Sequence, residues 1–371
     1  MVIDLKRVEF PLPVFTTAKL SFHPPQSKPI TWWVDEQVAK GEWREITLSP
    51  EITGLDVPAS IFETERQSSF IKPWRMSHED HKTSFCPPIW YYVAIDSGAC
   101  GLQCRSCFLM LTHRIRRDPR RHLIYTNFDA MRRDIQEWLL DPKRRPFETL
   151  GLGIDCSDSL LYDRYTGITQ WAIPLFGNQD SNPKGCKLIL LTKSANVNQL
   201  KDLPHNGKVV ISFSLNPQPT EDLWEGITPP ISKRLEAGLK VQAWGYHYRW
   251  RIDPILTPAD WEAAYAEFFA QAYKDGHRTE YLTAGTYREK NNQLLAWAER
   301  WGLPSMGWQP DNLVRDGSHW HVPESARTRI YSTIQSQVRA LWGNSVTFSL
   351  CKESHGVRRA LNLCNANCNC L

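Results

Sequence analysis

Three cysteines within eight residues carry the first chemical signal in this chain. The stretch "DSGACGLQCRSCFLM" (96–110) sets Cys100, Cys104 and Cys107 in a C-x3-C-x2-C spacing. A structural zinc site takes four ligands, commonly from two C-x2-C pairs. Three thiolates on one loop instead leave a bound metal with an open position, where a further ligand can react. A zinc site and three unrelated thiols are the alternatives. A second group closes the sequence: Cys351, Cys364, Cys368 and Cys370 read C-x12-C-x3-C-x-C. Four thiols suit a closed iron–sulfur cluster or a zinc ion, and a reduced tail without metal is the competing reading. Cys86, Cys156 and Cys186 stand apart from both groups.

A chain of 371 residues makes one large domain or two ordinary ones. Ten cysteines are too few for a disulfide scaffold of this length, and clustered thiols in a reducing compartment point to metal or redox chemistry. The start, "MVIDLKRVEFPLPVF", lacks the long apolar core of a secretory signal. No apolar run approaches the roughly 18 residues of a membrane span. The expectation is a cytoplasmic protein with no membrane partner. A net charge of +4 is mild, but its placement is not even. "HRIRRDPRRH" (113–122), "MRR" (131–133) and "KRR" (143–145) all follow the cysteine loop. Such groups favour an anionic substrate or a phosphate backbone; solvated helix faces with salt bridges explain them equally well. Sixteen tryptophans exceed what base stacking would use, so most belong to helix packing and the core.

The elements that position these residues alternate. "IWYYVAI" (89–95), "ETLGLGID" (148–155), "CKLILLTKS" (186–194), "KVVISFSLN" (208–216), "VQAWGYHYRWRIDPI" (241–255) and "EYLTAGTY" (280–287) read as strands by their β-branched and aromatic content. Between and after them, "NFDAMRRDIQEWLLD", "GITQWAIPLFG", "PPISKRLEAGLKVQ", "TPADWEAAYAEFFAQAYKDG", "NNQLLAWAERWG" and "ESARTRIYSTIQSQVRALWG" read as helices, the fourth capped at Thr257 or Asp260. "VNQLKDL" is a short helix and "SVTFSLC" a final extended piece. Strand–helix alternation implies parallel strands with crossover helices, here an α/β fold with a partial (β/α)6 barrel of the TIM type. Residues 1–85 form an N-terminal extension, 86–345 the barrel and 346–371 a cysteine-rich tail. In such folds chemistry gathers at the C-terminal ends of the strands. The cysteine loop, Cys156, Lys193, Ser214, Asn216, Arg251 and Arg288 all fall at or just after strand ends.

A C-x3-C-x2-C loop after the first strand of a βα barrel resembles the radical SAM superfamily. Further blocks sharpen the likeness: "LGLGIDCSDSLLYDRYTG", "LTKSANV", "HNGKVVISFSLNP", "TPPISKRLEAG", "YRWRIDPIL" and "YLTAGTYR", with "FIKPW" upstream. In this order they are similar to the spore photoproduct lyase family, over residues 70–340. The resemblance implies that Cys100, Cys104 and Cys107 hold a [4Fe–4S] cluster whose fourth iron binds S-adenosylmethionine. It implies a 5′-deoxyadenosyl radical that takes hydrogen from a thymine photoproduct or related nucleotide-type substrate in DNA repair. A flavodoxin- or ferredoxin-type donor would supply the electron. Cys156, in "DCSD", takes the place of the cysteine that returns hydrogen to the product; a buried small hydrophobe is the bland reading of that residue. Lys193 and Ser214 would contact the cofactor's carboxylate, with Ser157 or Asp158 nearby. Asn216 would hold the ribose hydroxyls and Arg251 would join the cofactor site, unless it pairs with Asp253. Arg288 is a phosphate contact or a salt bridge.

Two departures qualify the likeness. Family members place tyrosines on either side of the third cluster cysteine, and here Ser106 and Phe108 stand there. Tyr91, Tyr92, Tyr246 and Tyr248 are alternative phenols, and the sequence selects none of them. The tail cysteines would hold a second [4Fe–4S] cluster or zinc. These departures keep open a radical SAM enzyme that modifies a small molecule or peptide in a biosynthetic pathway. A zinc-stabilised nucleic-acid-binding protein without catalysis is the reading from another class.

Overall fold

The computed structural model describes residues 40–41, 43–75, 89–96, 100–102, 104, 107, 122–154, 157–289, 313–316 and 319–364. Cys86, Cys156, Cys368, Cys370, Ser106, Phe108, the run 113–121 and the helix expected over "NNQLLAWAERWG" lie outside the described residues.

The described residues begin with β1 (Arg44–Leu48), α1 (Pro50–Thr53), β2 (Ala59–Thr64), β3 (Ile71–Arg75), β4 (Ile89–Val93) and β5 (His122–Tyr125). There follow α2 (Phe128–Leu140), β6 (Thr149–Leu152), α3 (Asp163–Thr166), α4 (Ile168–Gly177), β7 (Lys187–Thr192) and β8 (Val209–Ser214). Next come α5 (Gln218–Trp224), α6 (Ile231–Ala243), β9 (His247–Ile255), α7 (Trp261–Lys274), β10 (Tyr281–Thr286) and β11 (Arg288–Glu289). The last are β12 (Val314–Asp316), β13 (His319–His321), α8 (Glu324–Trp342), β14 (Thr347–Leu350) and α9 (His355–Ala360).

The principal sheet has eight strands in the order β3-β4-β6-β7-β8-β9-β10-β14. From β4 onward every pair is parallel and the strands follow chain order, the arrangement expected when each connection is a crossover. All six residues of β8, "VVISFS", are buried, as a strand covered on both faces requires. The helices supply the cover: α2 turns Met131, Ile135, Trp138 and Leu139 inward at helical spacing. The six expected strands are all present. The final extended piece joins them as a further parallel strand, with Leu282 beside Phe348. The fifth strand starts later than expected, at His247, because α6 runs on to Ala243 and Gly245, at φ +80°, makes the turn. Asp260 stands at the N-terminus of α7 without a side-chain capping bond.

The described residues before 85 supply three strands. β3 pairs antiparallel with β4, setting Trp74 opposite Trp90. β1 and β2 join β5 in a separate three-stranded sheet, and β11, β13 and β12 form a third. The principal sheet curls far enough that Lys352, just past β14, lies 5.0 Å from the ring centroid of Trp74 at the opposite edge. A second small core joins Leu48, Ile61 and Ile124 to Leu102, Cys104, Leu161 and Tyr162. The small sheet therefore supports the cysteine loop from beneath. Among the described residues, no helix is long and apolar enough to cross a membrane.

Candidate active site

The residues singled out by sequence meet at the C-terminal edge of the parallel strands. Cys100, Cys104 and Cys107 lie beyond β4, Ser157 and Asp158 beyond β6, Lys193 beyond β7, Ser214 and Asn216 at the end of β8, and Cys351 beyond β14. Cys104 is buried, Cys100 and Cys107 half-buried, and none of the three forms a disulfide among the described residues. The Cys107 amide donates to the Cys104 carbonyl at 3.0 Å, which tightens the loop between them. Burial pushes the Cys104 thiol up to about 12, with Lys193 pulling it down and Glu225 and Cys107 pushing it further. Burial likewise lifts Cys100 well above the ordinary range, helped by Asp158 and Cys104. Cys104 and Cys107 push Cys100 up and Cys107 pushes Cys104 up, so the thiols lie near one another, and a bound metal would hold them deprotonated. Among the described residues, no three Cys, His, Asp or Glu side chains converge on a single ion. A cluster of several irons suits such a set better than one zinc, because each sulfur then binds its own metal atom.

Lys193 is the cation beside these thiols. Its ammonium pairs with Glu225 Oε1, while Glu225 Oε2 accepts from Arg234 at 3.1 Å and from the Cys104 thiol at 3.9 Å. Burial works against the Lys193 charge, but Cys104 and Glu225 outweigh it and hold its pKa above the ordinary value. Arg234 is fully buried and also donates to Glu221 at 2.8 Å, to the Pro229 carbonyl at 2.9 Å and to the Ser214 carbonyl at 3.2 Å. One guanidinium thus joins α6, the end of β8 and α5. Two carboxyls so close cannot both ionise easily. Burial and the charge of Glu225 push Glu221 up to about 8. Glu225 overcomes its own burial through Lys193 and Arg234 and stays below the ordinary range. The Ile227 amide donates to the Leu102 carbonyl at 2.8 Å, so the loop after α5 is fastened to the cysteine loop.

Asp158 is a frame residue. Its Oδ1 accepts from the amides of Leu160 and Leu161 at 2.9 and 3.0 Å and from Thr192 Oγ1 at 2.7 Å. Its Oδ2 accepts from the Lys193 amide at 2.6 Å. These bonds sew the loop after β6 to the end of β7 and set the backbone from which Lys193 projects. Burial pushes the Asp158 carboxyl up, and the same four bonds pull it back. Ser157 Oγ is buried without a hydrogen-bond partner among the described residues. A buried hydroxyl left in that condition, next to Asp158 in the loop after β6, suits a site that receives a polar ligand. Asn216 Oδ1 accepts from the Tyr265 hydroxyl at 2.8 Å. That bond fixes its amide at the end of β8.

Arg251, expected at a strand end, lies inside β9, because that strand runs on to Ile255; its register partner is Ser214 at the end of β8, and it meets Arg288 elsewhere on the same edge. Arg288 grips Asp253 with two bonds of 3.0 and 2.9 Å, and Arg251 approaches the same carboxylate at 3.8 Å. Despite burial, both arginines hold Asp253 down at about 2. Both also face Cys351, whose sulfur lies 3.7 Å from Arg251 Nη1 and 3.4 Å from Arg288 Nη2. Of the tail thiols, Cys351 is thus built into the barrel, while Cys364 is exposed beyond α9.

The four alternative tyrosines separate clearly. Tyr91 packs on Trp138 of α2 and under Arg144. Tyr246 donates to the Leu200 carbonyl at 2.6 Å, and the Tyr248 hydroxyl meets His277 Nδ1 at 2.9 Å. Tyr92 points to the opposite face of β4 from Tyr91, beside Trp90, which in turn meets Trp74. Trp74, Trp90 and Tyr92 form an aromatic row on the barrel's inner face. Of the basic runs, "KRR" is spent on structure: Arg144 pairs with Asp141 and Glu148, and Arg145 with Glu148. Arg132 and Arg133 are exposed on α2.

Sequence reasoning missed Glu221, Glu225, Arg234 and Tyr162. "SKRLEAG" reads as an ordinary helix start, and nothing in it tells a buried arginine from an exposed one. Tyr162 carried a faint signal, lying in the same "DCSDSLLY" segment as Cys156.

Comparison with known proteins places this geometry. The family model for spore photoproduct lyase matches residues 80–283, more than half of the chain. The spore photoproduct lyase of Bacillus subtilis (strain 168) is 30% identical over 184 residues, covering 49% of this chain and 51% of that protein. The Clostridium acetobutylicum protein of the same name is 27% identical over 186 residues, covering 50% and 52%. The chain therefore spans about half the length of the curated relatives it matches. Among solved structures, spore photoproduct lyase complexed with dinucleoside spore photoproduct superposes with a TM-score of 0.63 at 20% identity, covering 78% of this chain and 82% of that one. A double mutant with bound AdoMet and dinucleoside spore photoproduct gives 0.59 at 22%, covering 72% and 78%. These likenesses establish the fold, the partial barrel of spore photoproduct lyase.

Proposed function

We propose a function for this chain from one premise: it belongs to the spore photoproduct lyase family. It is a radical SAM enzyme that acts on a thymine photoproduct or a closely related nucleotide lesion in DNA. The observation that carries this reading is the convergence of Cys100, Cys104 and Cys107 with the Lys193 ammonium at one end of the barrel. The three thiolates would hold a [4Fe–4S] cluster, which with S-adenosylmethionine would supply a radical able to abstract hydrogen.

The chain's own residues do the rest. Lys193 presents a fixed cation for the carboxylate of S-adenosylmethionine, and Glu225 and Arg234 hold it in place. Ser157 offers a buried hydroxyl. Ser214 and Asn216 stand at the end of β8, within reach of a ribose or carboxylate group. Trp74, Trp90 and Tyr92 supply flat faces on which an extruded thymine pair can stack. Cys156 is the hydrogen donor to the product, a role suited to its weak S–H bond. The reducing electron comes from a flavodoxin- or ferredoxin-type donor. Arg251 and Arg288 are partly committed to Asp253 and Cys351. Their remaining charge favours an anionic substrate group at that side of the mouth.

The test is a turnover assay without oxygen. The reconstituted protein, S-adenosylmethionine and dithionite are incubated with dinucleoside spore photoproduct. Release of the repaired dinucleoside supports the reading. Photoproduct left intact while S-adenosylmethionine is cleaved would move the substrate away from DNA lesions.

A further inference from the structure

Tyr162 is a phenol without a hydrogen-bond partner among the described residues. It lies in the turn before α3, is 6% exposed, and packs in the small core with Leu102 and Cys104. Its hydroxyl rests against the backbone of the cysteine loop. A Cβ placed on Gly101 would lie 2.2 Å from that oxygen and 3.2 Å from Cζ. Only glycine allows so close an approach, so the residue next to Cys100 in the chain is a cradle for the phenol. Cys100 packs against the same small core. A phenol carries its proton at neutral pH, so Tyr162 is a hydrogen-bond donor beside the cysteine loop.

A buried hydroxyl without an acceptor is costly, and native folds rarely keep one without a reason. The neighbouring Cys100 provides the reason. As a free thiol it is a weak acceptor, whereas a metal-bound thiolate accepts hydrogen bonds well. We propose that Tyr162 is a positioning residue for the metal centre: its hydroxyl donates to the sulfur of Cys100 once that sulfur is a metal-bound thiolate. This rests on the reading that Cys100, Cys104 and Cys107 hold a cluster. A donor to a ligand sulfur eases reduction, because the added electron places more negative charge on the sulfurs. Tyr162 thus sets how readily the centre accepts its electron.

The experiment compares wild type with Tyr162→Phe, both reconstituted with iron and sulfide without oxygen. Three quantities are read: iron per chain, reduction potential by EPR-monitored titration, and the Fe–S stretching bands by resonance Raman in water and deuterium oxide. The expected variant keeps wild-type iron, has a lower potential, and loses a deuterium-sensitive shift present in the wild type. Gly101→Ala keeps the phenol but displaces it, and its potential should fall in the same direction. Wild-type iron with unchanged potential and bands in both variants overturns the role of Tyr162 and leaves the cluster reading standing. A wild type that takes up no iron overturns both.

Discussion

Replacing Arg234 with Met removes the buried guanidinium that joins Glu221 to Glu225, the partner of Lys193. Arg234 makes four hydrogen bonds, to Glu221 at 2.8 Å, Glu225 at 3.1 Å, the Pro229 carbonyl at 2.9 Å and the Ser214 carbonyl at 3.2 Å. Methionine matches its length and leaves little cavity, so packing contributes a small part of the loss. The large part is electrostatic. Each charge-assisted bond contributes about 1.5–3 kcal/mol, and removing one partner of a buried ion pair costs about 3–5 kcal/mol. Some of this is offset: Glu225 keeps Lys193, and Glu221, pushed up to about 8, is already protonated at neutral pH and leaves no unpaired charge. The net expectation is a loss of about 3–5 kcal/mol in chemical denaturation monitored by tryptophan fluorescence. Lys233→Met, one residue away and paired only at the exposed surface, provides the contrast and should change nothing measurable. A loss for Arg234→Met below about 1 kcal/mol, the range of exposed pairs, would refute the claim that this network braces the site.

The same network predicts an alkaline weakness. Glu221 carries a proton in the fold up to about pH 8 but loses it in the unfolded chain near its ordinary 4.5. Its contribution is complete below the unfolded value and disappears as pH rises through about 8. Glu221→Gln should flatten that decline in a pH series of melting temperatures, and an unchanged decline would assign it to other groups. Trp90→Ala should weaken binding of the dinucleoside photoproduct by roughly 1–3 kcal/mol, about tenfold or more, with S-adenosylmethionine cleavage retained; equal binding by the two proteins would remove the aromatic row from the substrate site. Cys156→Ala should still cleave S-adenosylmethionine yet give an altered product by mass spectrometry, whereas a normal product would exclude Cys156 as the donor.

The barrel was legible because its signals are local. "CKLILLTKS" and "KVVISFSLN" are β-branched runs between polar turns, and strands of that kind in a parallel sheet declare themselves. The cysteine loop and Lys193 were legible for a related reason, since each follows directly from a strand end. Tertiary facts were harder to read. "SVTFSLC" gives no sign that it pairs with β10, 66 residues earlier at Thr283 and Ser349. Nor does "FIKPW" show that it closes the far edge of the sheet against β4. Arg234 and Glu225 look like surface charges until the fold buries them together. Their pairing is set by where α5 and α6 dock, which no periodicity encodes. Tyr162 has the same difficulty, because its meaning depends on Gly101, 61 residues earlier in the chain.

The central claim is that three thiols and their neighbours form a radical SAM centre. The most direct measurement reconstitutes wild type and Cys104→Ala without oxygen, counts iron and sulfide per chain, and assays 5′-deoxyadenosine after S-adenosylmethionine and dithionite are added. The account predicts about four irons attributable to the Cys104 loop, lost in Cys104→Ala, and 5′-deoxyadenosine only from the wild type. Wild-type protein that holds no iron, or that holds it and forms no 5′-deoxyadenosine, would contradict the account.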